Sequence, residues 1–344
     1  MDQTNLEDLR NWRERTSHRT EVQIVFETFL FVLLEIVAIG GNVMVLAAVW
    51  RSKSLRSITH QYITVLSTAD LCVALLDFSL CVASSTTGDW PYGQVACHIQ
   101  GTSILLWSTF SMFIVSMTAI NRYFCVVKPN LYKTIFTRKS TIIVISTTLV
   151  ISMAIIIGIP TGLEVKYQFG PHLFCIPVFP TKKLQMAVLL PAHFAFISIP
   201  MLTIFVCYFK VFRHVRQHVN KVAPSLSRAK TQNLKSRVEE VKITKVVFAV
   251  MIVFFLLWTP VCVIGTLFLI GVFIPRWAHL TYDYLVITSA ATNPILYGFL
   301  NQTFRSEYAK ILGCKSLQRR RRNDLTEIEF SASHTQRENR IRIK

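Results

Sequence analysis

The chain has 344 residues, of which 52% are hydrophobic and only 16% charged, and its formal net charge is +18. So few charged side chains cannot cover the surface of a soluble protein of this length, which excludes a soluble fold. The positive charge does not indicate nucleic-acid binding either, because no soluble domain is available to present a basic surface. We therefore expect a membrane protein whose positive charge lies in its loops.

Seven apolar stretches follow one another along the chain, and we predict spans at 24–50, 59–84, 94–126, 139–161, 187–215, 240–271 and 278–300. About 20 apolar residues cross a bilayer as a helix, and backbone polar groups in hydrocarbon must be satisfied within the segment. A further stretch, Gln302–Leu312, places Phe304, Tyr308 and Ile311 on one helical face. The predicted fold is an all-α membrane protein, a seven-transmembrane helix bundle with a short amphipathic helix 8.

Lysine and arginine concentrate in alternate loops, at 51–56, 128–139, 210–245 and after 305. The positive-inside rule then places the N-terminus outside the cell and the C-terminus in the cytoplasm of a multi-pass plasma-membrane protein. We predict an extracellular tail over 1–22, a seven-transmembrane bundle with helix 8 over 23–313 and a disordered cytoplasmic tail over 314–344. The basic run Arg319–Arg322 predicts contact with anionic membrane lipid.

Two of the eight cysteines, Cys97 and Cys175, are predicted to lie on the oxidising outer side. A disulfide between them would close a long loop, which stabilises the fold by roughly 3–5 kcal/mol, and would hold that loop over the mouth of the bundle. Cys314 follows the amphipathic helix at the inner leaflet and is a candidate for palmitoylation. The other cysteines lie in or next to spans and are interpreted as packing residues.

Polar residues inside the spans are costly and therefore indicate function. Asp70 lies in the middle of span two, Asn121-Arg122-Tyr123 ends span three, and Asn293-Pro294-Ile295-Leu296-Tyr297 ends span seven. Two polar clusters at the cytoplasmic ends favour a bundle that changes shape and passes a signal inward. The alternative is a transporter or channel, which would carry paired midplane acids, interrupted helices and internal repeats.

Six of the seven spans, all but the fourth, carry a short motif, in a fixed order along the chain. The motifs are Gly41-Asn42-Val43-Met44-Val45, Leu66-Ser67-Thr68-Ala69-Asp70, Cys97 with Asn121-Arg122-Tyr123, Pro200 with Tyr208, Phe254 with Leu257-Trp258-Thr259-Pro260, and Asn293–Tyr297 with Phe304. In this order the chain resembles the rhodopsin-like (class A) G-protein-coupled receptors over nearly its whole length. The resemblance implies a cell-surface receptor, not an enzyme, that binds an extracellular ligand and activates heterotrimeric G proteins.

The resemblance also implies how the signal reaches the G protein. At rest Arg122 would pair with Glu240 at the inner end of span six, and activation would break that pair. Asn121 departs from the family, which usually has an acidic residue there, and an amide holds a guanidinium less firmly than a carboxylate does. We therefore predict raised basal signalling. The coupling residues implied are Asn121, Arg122, Tyr123, Tyr208, Glu240 and Tyr297.

Two further sets of residues are implied within the bundle. Asp70, Asn42, Ser111 and Asn293 would form a polar network that holds an allosteric sodium ion or water, although Trp107, Ser289 and Ala290 depart from the family's usual ligands. The second set contains prolines, which remove a backbone hydrogen bond and are therefore hinge candidates. Its members would act as a switch, and plain core packing is the alternative role. The implied switch residues are Met112, Pro200, Phe254, Trp258, Pro260 and Pro294.

The ligand pocket is expected to open outward, beneath the loop that carries Cys175. Its implied lining is Ile104, Leu105, Ser108, His193, Phe196, Trp258, Asp283 and Ile287. Ile104 stands where monoamine receptors carry an aspartate, which argues against a monoamine ligand. Glu35, Asp77 and Asp283 are expected to cluster and to favour a cationic ligand group, or else to pair with Arg276 or His279.

Three stretches, 119–123, 274–277 and 297–305, resemble the melatonin receptors. The resemblance does not transfer a ligand, which stays unknown with a melatonin-like small molecule or a peptide as the candidates, but it implies inhibitory G-protein coupling. The polar ligand anchors of that subfamily are missing, however, because Pro160 and Ile176 stand at their places. Arrestin and receptor kinases are further implied partners, through Ser331, Ser333 and Thr335. An opsin-like or decoy seven-helix protein is the remaining alternative, and span seven contains no lysine for a retinal Schiff base.

Overall fold

A computed structural model describes residues 19–170, 172–222 and 252–313. The transmembrane helices are α1 (Glu21–Arg51), α2 (Ile58–Thr87), α3 (Gly93–Val127), α4 (Arg138–Gly162), α5 (Lys182 to Val222), α6 (Ile252–Leu269) and α7 (Arg276–Leu300), followed by α8 (Gln302–Ile311). The predicted seven-helix bundle with a helix 8 is confirmed. Residues 240–251 of the predicted sixth span lie outside the described ranges.

The six helices α1–α6 are long and apolar enough to cross a membrane. Their exterior differs from that of a soluble protein, because many large apolar side chains face outward, while several polar side chains are buried beside the apolar core. In α4, for example, Thr141 and Ser152 are the buried residues, whereas Ile143 and Val150 are exposed. The apolar exterior fits a lipid surface, and the buried polar groups lie where other helices can satisfy them.

Local sequence explains where several helices begin and end. Thr20 and Gln23 form a reciprocal capping box at the start of α1, and Thr137 and Thr181 cap α4 and α5 through their hydroxyl groups. Gly88 ends α2 with a φ of 73°, which a glycine adopts without strain. Asn301 ends α7 and caps α8, so the chain turns sharply at the membrane surface.

Two helices widen into π-helical segments, Val73–Phe78 in α2 and Phe194–Ser198 in α5. The segment in α5 ends just before Pro200, whose missing amide hydrogen already interrupts the regular bonding. The segment in α2 begins shortly after Asp70. Segments of this kind rotate the helix beyond them and recur at functional sites, but apolar periodicity does not predict them.

A small hairpin departs from the all-helical prediction. β1 (Lys166–Phe169) and β2 (Cys175–Val178) pair antiparallel, with Phe169 opposite Cys175. The predicted disulfide between Cys97 and Cys175 is present, with 5.5 Å between the two Cα atoms, and it ties the hairpin to α3. Gly101 permits the close approach, because a Cβ atom there would lie 2.7 Å from the Cys175 carbonyl oxygen.

Helix α8 packs against the inner ends of α1 and α2 with its predicted apolar face. Phe304 is buried in a cluster with Val45 and Ile63, and Tyr308 and Ile311 pack against the same cluster. The Phe304 ring also stacks on Tyr297 of α7, with 5.5 Å between the ring centroids. The inner end of α7 is therefore fixed by α8. A short helix, Pro129–Ile135, follows α3 in the inner loop and was not predicted.

Candidate functional site

The inner end of α3 places Arg122 beside a fully buried amide. Asn121 has no exposed surface, and its Oδ1 accepts a hydrogen bond from Thr59 Oγ1 of α2 at 2.9 Å. Its Nδ2 has no hydrogen-bond partner within the described ranges. The Tyr123 ring faces the Lys210 ammonium group at 5.6 Å from the ring centroid. The amide that replaces the family's usual acid is thus held by α2 and adds no charge beside Arg122.

Arg122 is half-buried and lies within electrostatic range of Tyr208 of α5 and Tyr297 of α7. No ion pair of Arg122 occurs in the part of the chain that the structure describes. Glu240 falls outside that part, so its pairing with Arg122 stays a prediction. The structure does bring together the other coupling residues, from three helices, at the end of the bundle that the sequence predicts to face the cytoplasm.

The carboxylate of Asp70 is the centre of a compact polar network. Ser111 Oγ donates to one oxygen at 3.2 Å, and Asn293 Nδ2 donates to the other at 2.9 Å. Asn42 does not contact Asp70 directly, contrary to expectation, because its amide donates to the carbonyl oxygens of Ala38 and Ala290. Asn42 therefore joins α1 to α7, while Asp70 joins α2 to α3 and α7.

A cavity of about 60 Å³ lies next to this network. Its lining includes Asp70, Asn293, Met112, Trp258 and Tyr208, so one space touches residues of α2, α3, α5, α6 and α7. A volume of this size can hold several water molecules or a hydrated ion, and Asp70 lines it. Ser289 also lines the cavity, but its hydroxyl donates to the Val286 carbonyl oxygen within α7.

Three of the predicted switch residues, Met112, Phe254 and Trp258, line the same cavity as Asp70. Phe254 stacks on Trp258 with 6.1 Å between ring centroids, and both pack against the buried Met112. Pro200 is buried just beyond the π-helical segment of α5, and Pro260 is half-buried in α6. Pro294 is buried against α1. The side chains of Met112, Phe254 and Trp258 are packed against one another. Both the switch role and plain core packing require such packing, so it does not distinguish the two roles.

The expected pocket residues occupy the outer half of the bundle. Ile104 and Ile287 are buried in one cluster, and Leu105 packs against the cluster around the disulfide. His193 Nε2 lies 3.2 Å from Thr266 Oγ1 of α6, and Phe196 packs edge-on against Phe113. Ser108 is half-buried. Ile104 and Ile287 are thus buried, whereas Leu105, Ser108, His193 and Phe196 are half-buried, and their contact with a ligand stays a prediction.

The three acidic residues Glu35, Asp77 and Asp283 are all buried in that outer half, and all lie near Cys81. Asp77 Oδ2 accepts from Ser103 Oγ at 3.1 Å, and Asp283 accepts from the loop residues His172 and Leu173. The expected pairing with Arg276 is wrong, because Arg276 forms a two-fold hydrogen bond with Glu27 at the outer end of α1.

Sequence reasoning missed several residues that organise the outer mouth. Gln100 links the hairpin to α2, since its Oε1 accepts from the Cys175 amide at 2.8 Å and its Nε2 donates to Cys81 Sγ at 3.3 Å. Arg19 donates to the Ser85 carbonyl oxygen and lies 3.6 Å from the Glu27 carboxylate. Burial and the nearby Arg276 lower the pKa of the Arg19 guanidinium, and Glu27 opposes that shift. No periodicity or motif in the sequence signals these contacts.

Comparison with known proteins decides the family. The family model described as 7 transmembrane receptor (rhodopsin family) matches residues 41–297. The chain belongs to the rhodopsin family of seven-transmembrane receptors. The match includes every span motif from Gly41 to Tyr297, so the receptor interpretation no longer depends on a few short motifs. A transporter or channel is accordingly set aside, and the chain belongs to a family of multi-pass membrane receptors.

Within this family the receptor is similar to melatonin receptors. It is 27% identical to the melatonin receptor type 1A of Phodopus sungorus over 291 residues, which cover 83% of this chain and 79% of that receptor. It is 27% identical to the type 1B receptor of Mus musculus over 278 residues, covering 79% and 73% of the two chains. The similarity confirms the subfamily resemblance seen in the three short stretches.

Proposed function

We propose that this receptor binds an extracellular ligand and activates heterotrimeric G proteins from the plasma membrane, with its C-terminus in the cytoplasm. The observation that carries the proposal is the cavity shared by Asp70, Met112, Tyr208, Trp258 and Asn293. Packed side chains around a void can take two discrete arrangements. A ligand that moves Trp258 can therefore change the packing of Tyr208 and Asn293, which lead to the inner face.

Arg122 is the proposed contact with the G protein. Its guanidinium is permanently charged and carries several donors, so it can exchange one acceptor for another when the inner ends of α3 and α6 separate. Arg122 lies within electrostatic range of Tyr208 and Tyr297, which supports this role. Both phenol oxygens can accept a hydrogen bond from the guanidinium once it leaves its resting partner. Arrestin and receptor kinases would use the same inner face and the tail beyond 314.

The Asp70 network is a proposed site for an allosteric sodium ion. Its two carboxylate oxygens, the Ser111 hydroxyl and the adjoining cavity supply oxygen ligands and space for water, which is the chemistry that a hard cation requires. Asn42 Nδ2 is bonded to backbone carbonyls, but its Oδ1 is buried without a hydrogen-bond partner among the described residues and would be free to bind a water molecule of the ion's shell. Bound sodium would favour the resting arrangement by holding α2, α3 and α7 together.

The ligand is proposed to differ from melatonin in its polar contacts. The relatives are melatonin receptors, but Pro160 and Ile176 offer no polar side chain at the two anchor positions of that subfamily. The pocket side chains that remain are mostly apolar and aromatic, with Asp283 as the charged exception. Coupling to inhibitory G proteins is proposed from the similarity to these relatives.

The test uses the purified full-length receptor in lipid nanodiscs with a panel of purified G proteins. We expect faster GDP release in the presence of the wild-type receptor than with Arg122→Ala, since the variant lacks the cation that engages the G protein. Arg51→Ala, at the exposed inner end of α1, is the matched control and should retain wild-type activity. No acceleration with any G protein, or equal rates for wild type and Arg122→Ala, would overturn the proposal.

A further inference from the structure

Three consecutive loop residues, His172–Phe174, fold into the outer mouth of the bundle, and His172 and Leu173 are buried there. The segment is anchored on its C-terminal side. Cys175 is bonded to Cys97 of α3 and donates its amide to Gln100. The receptor's own loop therefore holds these three side chains at a fixed place inside the mouth.

Both carboxylate oxygens of Asp283 accept hydrogen bonds from this segment. His172 Nδ1 lies 2.8 Å from Oδ1, and the Leu173 amide donates to Oδ2 at 3.0 Å. Asp283 is almost fully buried in α7, and a buried carboxylate is costly unless both oxygens are satisfied. Anything that replaces the loop at this place must therefore supply at least two donors or a positive charge.

The His172 ring lies inside a box of aromatic rings. Its centroid is 4.7 Å from Tyr282, 4.8 Å from His279, 5.0 Å from Phe174 and 5.7 Å from Phe268. Phe174 belongs to the loop, whereas the other three rings belong to α6 and α7. Aromatic faces around a carboxylate form the chemical environment that binds flat cations and N–H-bearing rings.

The loop also fills the space expected for a ligand. Leu173 is buried in the same cluster as Ile104 of α3 and Ile287 of α7, two residues of the expected pocket lining. Asp283, another residue of the expected lining, accepts hydrogen bonds from the loop. The loop thus presents a ring with an N–H donor, a backbone N–H and a branched apolar group to the surfaces that a ligand would meet.

We infer that Asp283 and the rings of Phe268, His279 and Tyr282 form a recognition site for the head group of the ligand, a cationic or N–H-donating heteroaromatic ring. His172 occupies this site as a built-in competitor. An apolar substituent on the ligand takes the place of Leu173 against Ile104 and Ile287. The inference rests on the proposed receptor function for the statement that a ligand replaces the loop, but the site itself is tested without a G protein.

The first experiment removes the competitor and supplies its ring in solution. His172→Ala leaves an imidazole-sized space beside Asp283, and 4-methylimidazole is the probe. In purified full-length receptor we expect the probe to raise the unfolding midpoint of His172→Ala saturably, by about 2 °C or more, because it binds the folded state alone. Wild type should show no such rise, since its own loop fills the site.

Two variants control this measurement. His98→Ala removes a histidine that is exposed on α3 and should behave as wild type. His172→Ala combined with Asp283→Asn should lose the response, because the carboxylate that binds the ring is gone. An equal rise in wild type and His172→Ala, or no rise in folded His172→Ala, would overturn the inference.

A second measurement does not require His172→Ala to fold. Asp283→Asn keeps the shape of the side chain but removes its charge, so the loop should detach more often. We expect hydrogen exchange of the Leu173 amide to accelerate about tenfold or more, since that amide is protected by Asp283. Asp77→Asn is the matched buried control and should leave the exchange rate unchanged. If the Leu173 amide exchanges at the same rate in Asp283→Asn and wild type, Asp283 does not hold the loop in place and the inference is overturned.

The two proposals fail separately. Binding of 4-methylimidazole to His172→Ala without any G-protein activation would leave the site standing and reject the receptor mechanism. G-protein activation in a receptor whose His172→Ala form ignores the probe would leave the mechanism standing and reject this site.

Discussion

At the scale of single residues, the amide of Asn121 is the clearest departure from the family. It is fully buried, and its oxygen is bonded to Thr59 instead of serving the guanidinium of Arg122. A carboxylate at this position would attract Arg122 strongly, whereas a neutral amide already engaged by α2 does so weakly. The resting arrangement of α3 therefore lacks one of its usual stabilising interactions.

We expect Asn121→Asp to lower ligand-free G-protein activation. The new carboxylate can keep the hydrogen bond from Thr59 and adds a charge beside Arg122, which stabilises the resting state. A gain of about 1.4 kcal/mol would shift the resting-to-active ratio tenfold, so basal GDP release should fall severalfold. Thr59→Val is the control, because it removes the bond to Asn121 without adding charge. Basal activity that stays equal in Asn121→Asp and wild type would refute the argument.

Single residues also show what sequence alone could predict of the site. The grouping of Ser111 and Asn293 around Asp70 was implied by the family resemblance, and the structure brings these three side chains together. The partners of Asp283 and Arg276 could not be predicted this way. They come from His172 in a loop and from Glu27 on another helix, and no spacing rule relates those positions.

At the scale of elements, the long helices were predictable because lipid enforces length and apolarity on every span. The π-helical segments, the β1–β2 hairpin and the helix Pro129–Ile135 were not. Each depends on local backbone bonding or on packing against a neighbour, which leaves no periodic signal in the sequence. The close contact of α1 with α7 could not be predicted either, because it depends on one glycine.

Gly41 faces Pro294 so closely that a Cβ atom at position 41 would lie 2.9 Å from two atoms of the proline ring. Gly41→Ala should therefore push α1 away from α7 and weaken the bond from Asn42 to the Ala290 carbonyl oxygen. We expect a loss of about 1–3 kcal/mol, measured as a lower unfolding midpoint of the purified receptor.

The neighbouring glycine provides the control for that measurement. A Cβ atom at Gly40 would meet no atom within 4 Å, and alanine is the better helix former. Gly40→Ala should thus match or slightly exceed wild type in stability. If the two variants unfold at the same temperature, the close contact does not limit the packing of α1 against α7.

At the scale of the whole molecule, the outer mouth is closed by contacts between distant parts of the chain. The Glu27 carboxylate of α1 accepts hydrogen bonds from Nη1 and Nη2 of Arg276 of α7, and the Arg19 guanidinium also lies close to it. The Tyr284 hydroxyl donates to the Glu27 carbonyl oxygen at 3.0 Å. Together with the disulfide-anchored loop, these contacts join the first and last transmembrane helices at the face where a ligand would enter.

We expect Glu27→Gln to destabilise the receptor by about 1–3 kcal/mol, because two arginine side chains that are only 8% and 25% exposed would lose their anion. Glu27→Gln combined with Arg276→Gln should recover part of that loss, since one unpaired cation is removed. Unfolding midpoints of the two single variants and the double variant give the coupling energy of the pair. Glu307→Gln breaks the pair with Lys310, which is 45% exposed, and should cost little. If the stability losses of the Glu27→Gln and Arg276→Gln single variants simply add up in the double variant, this pair does not join α1 to α7.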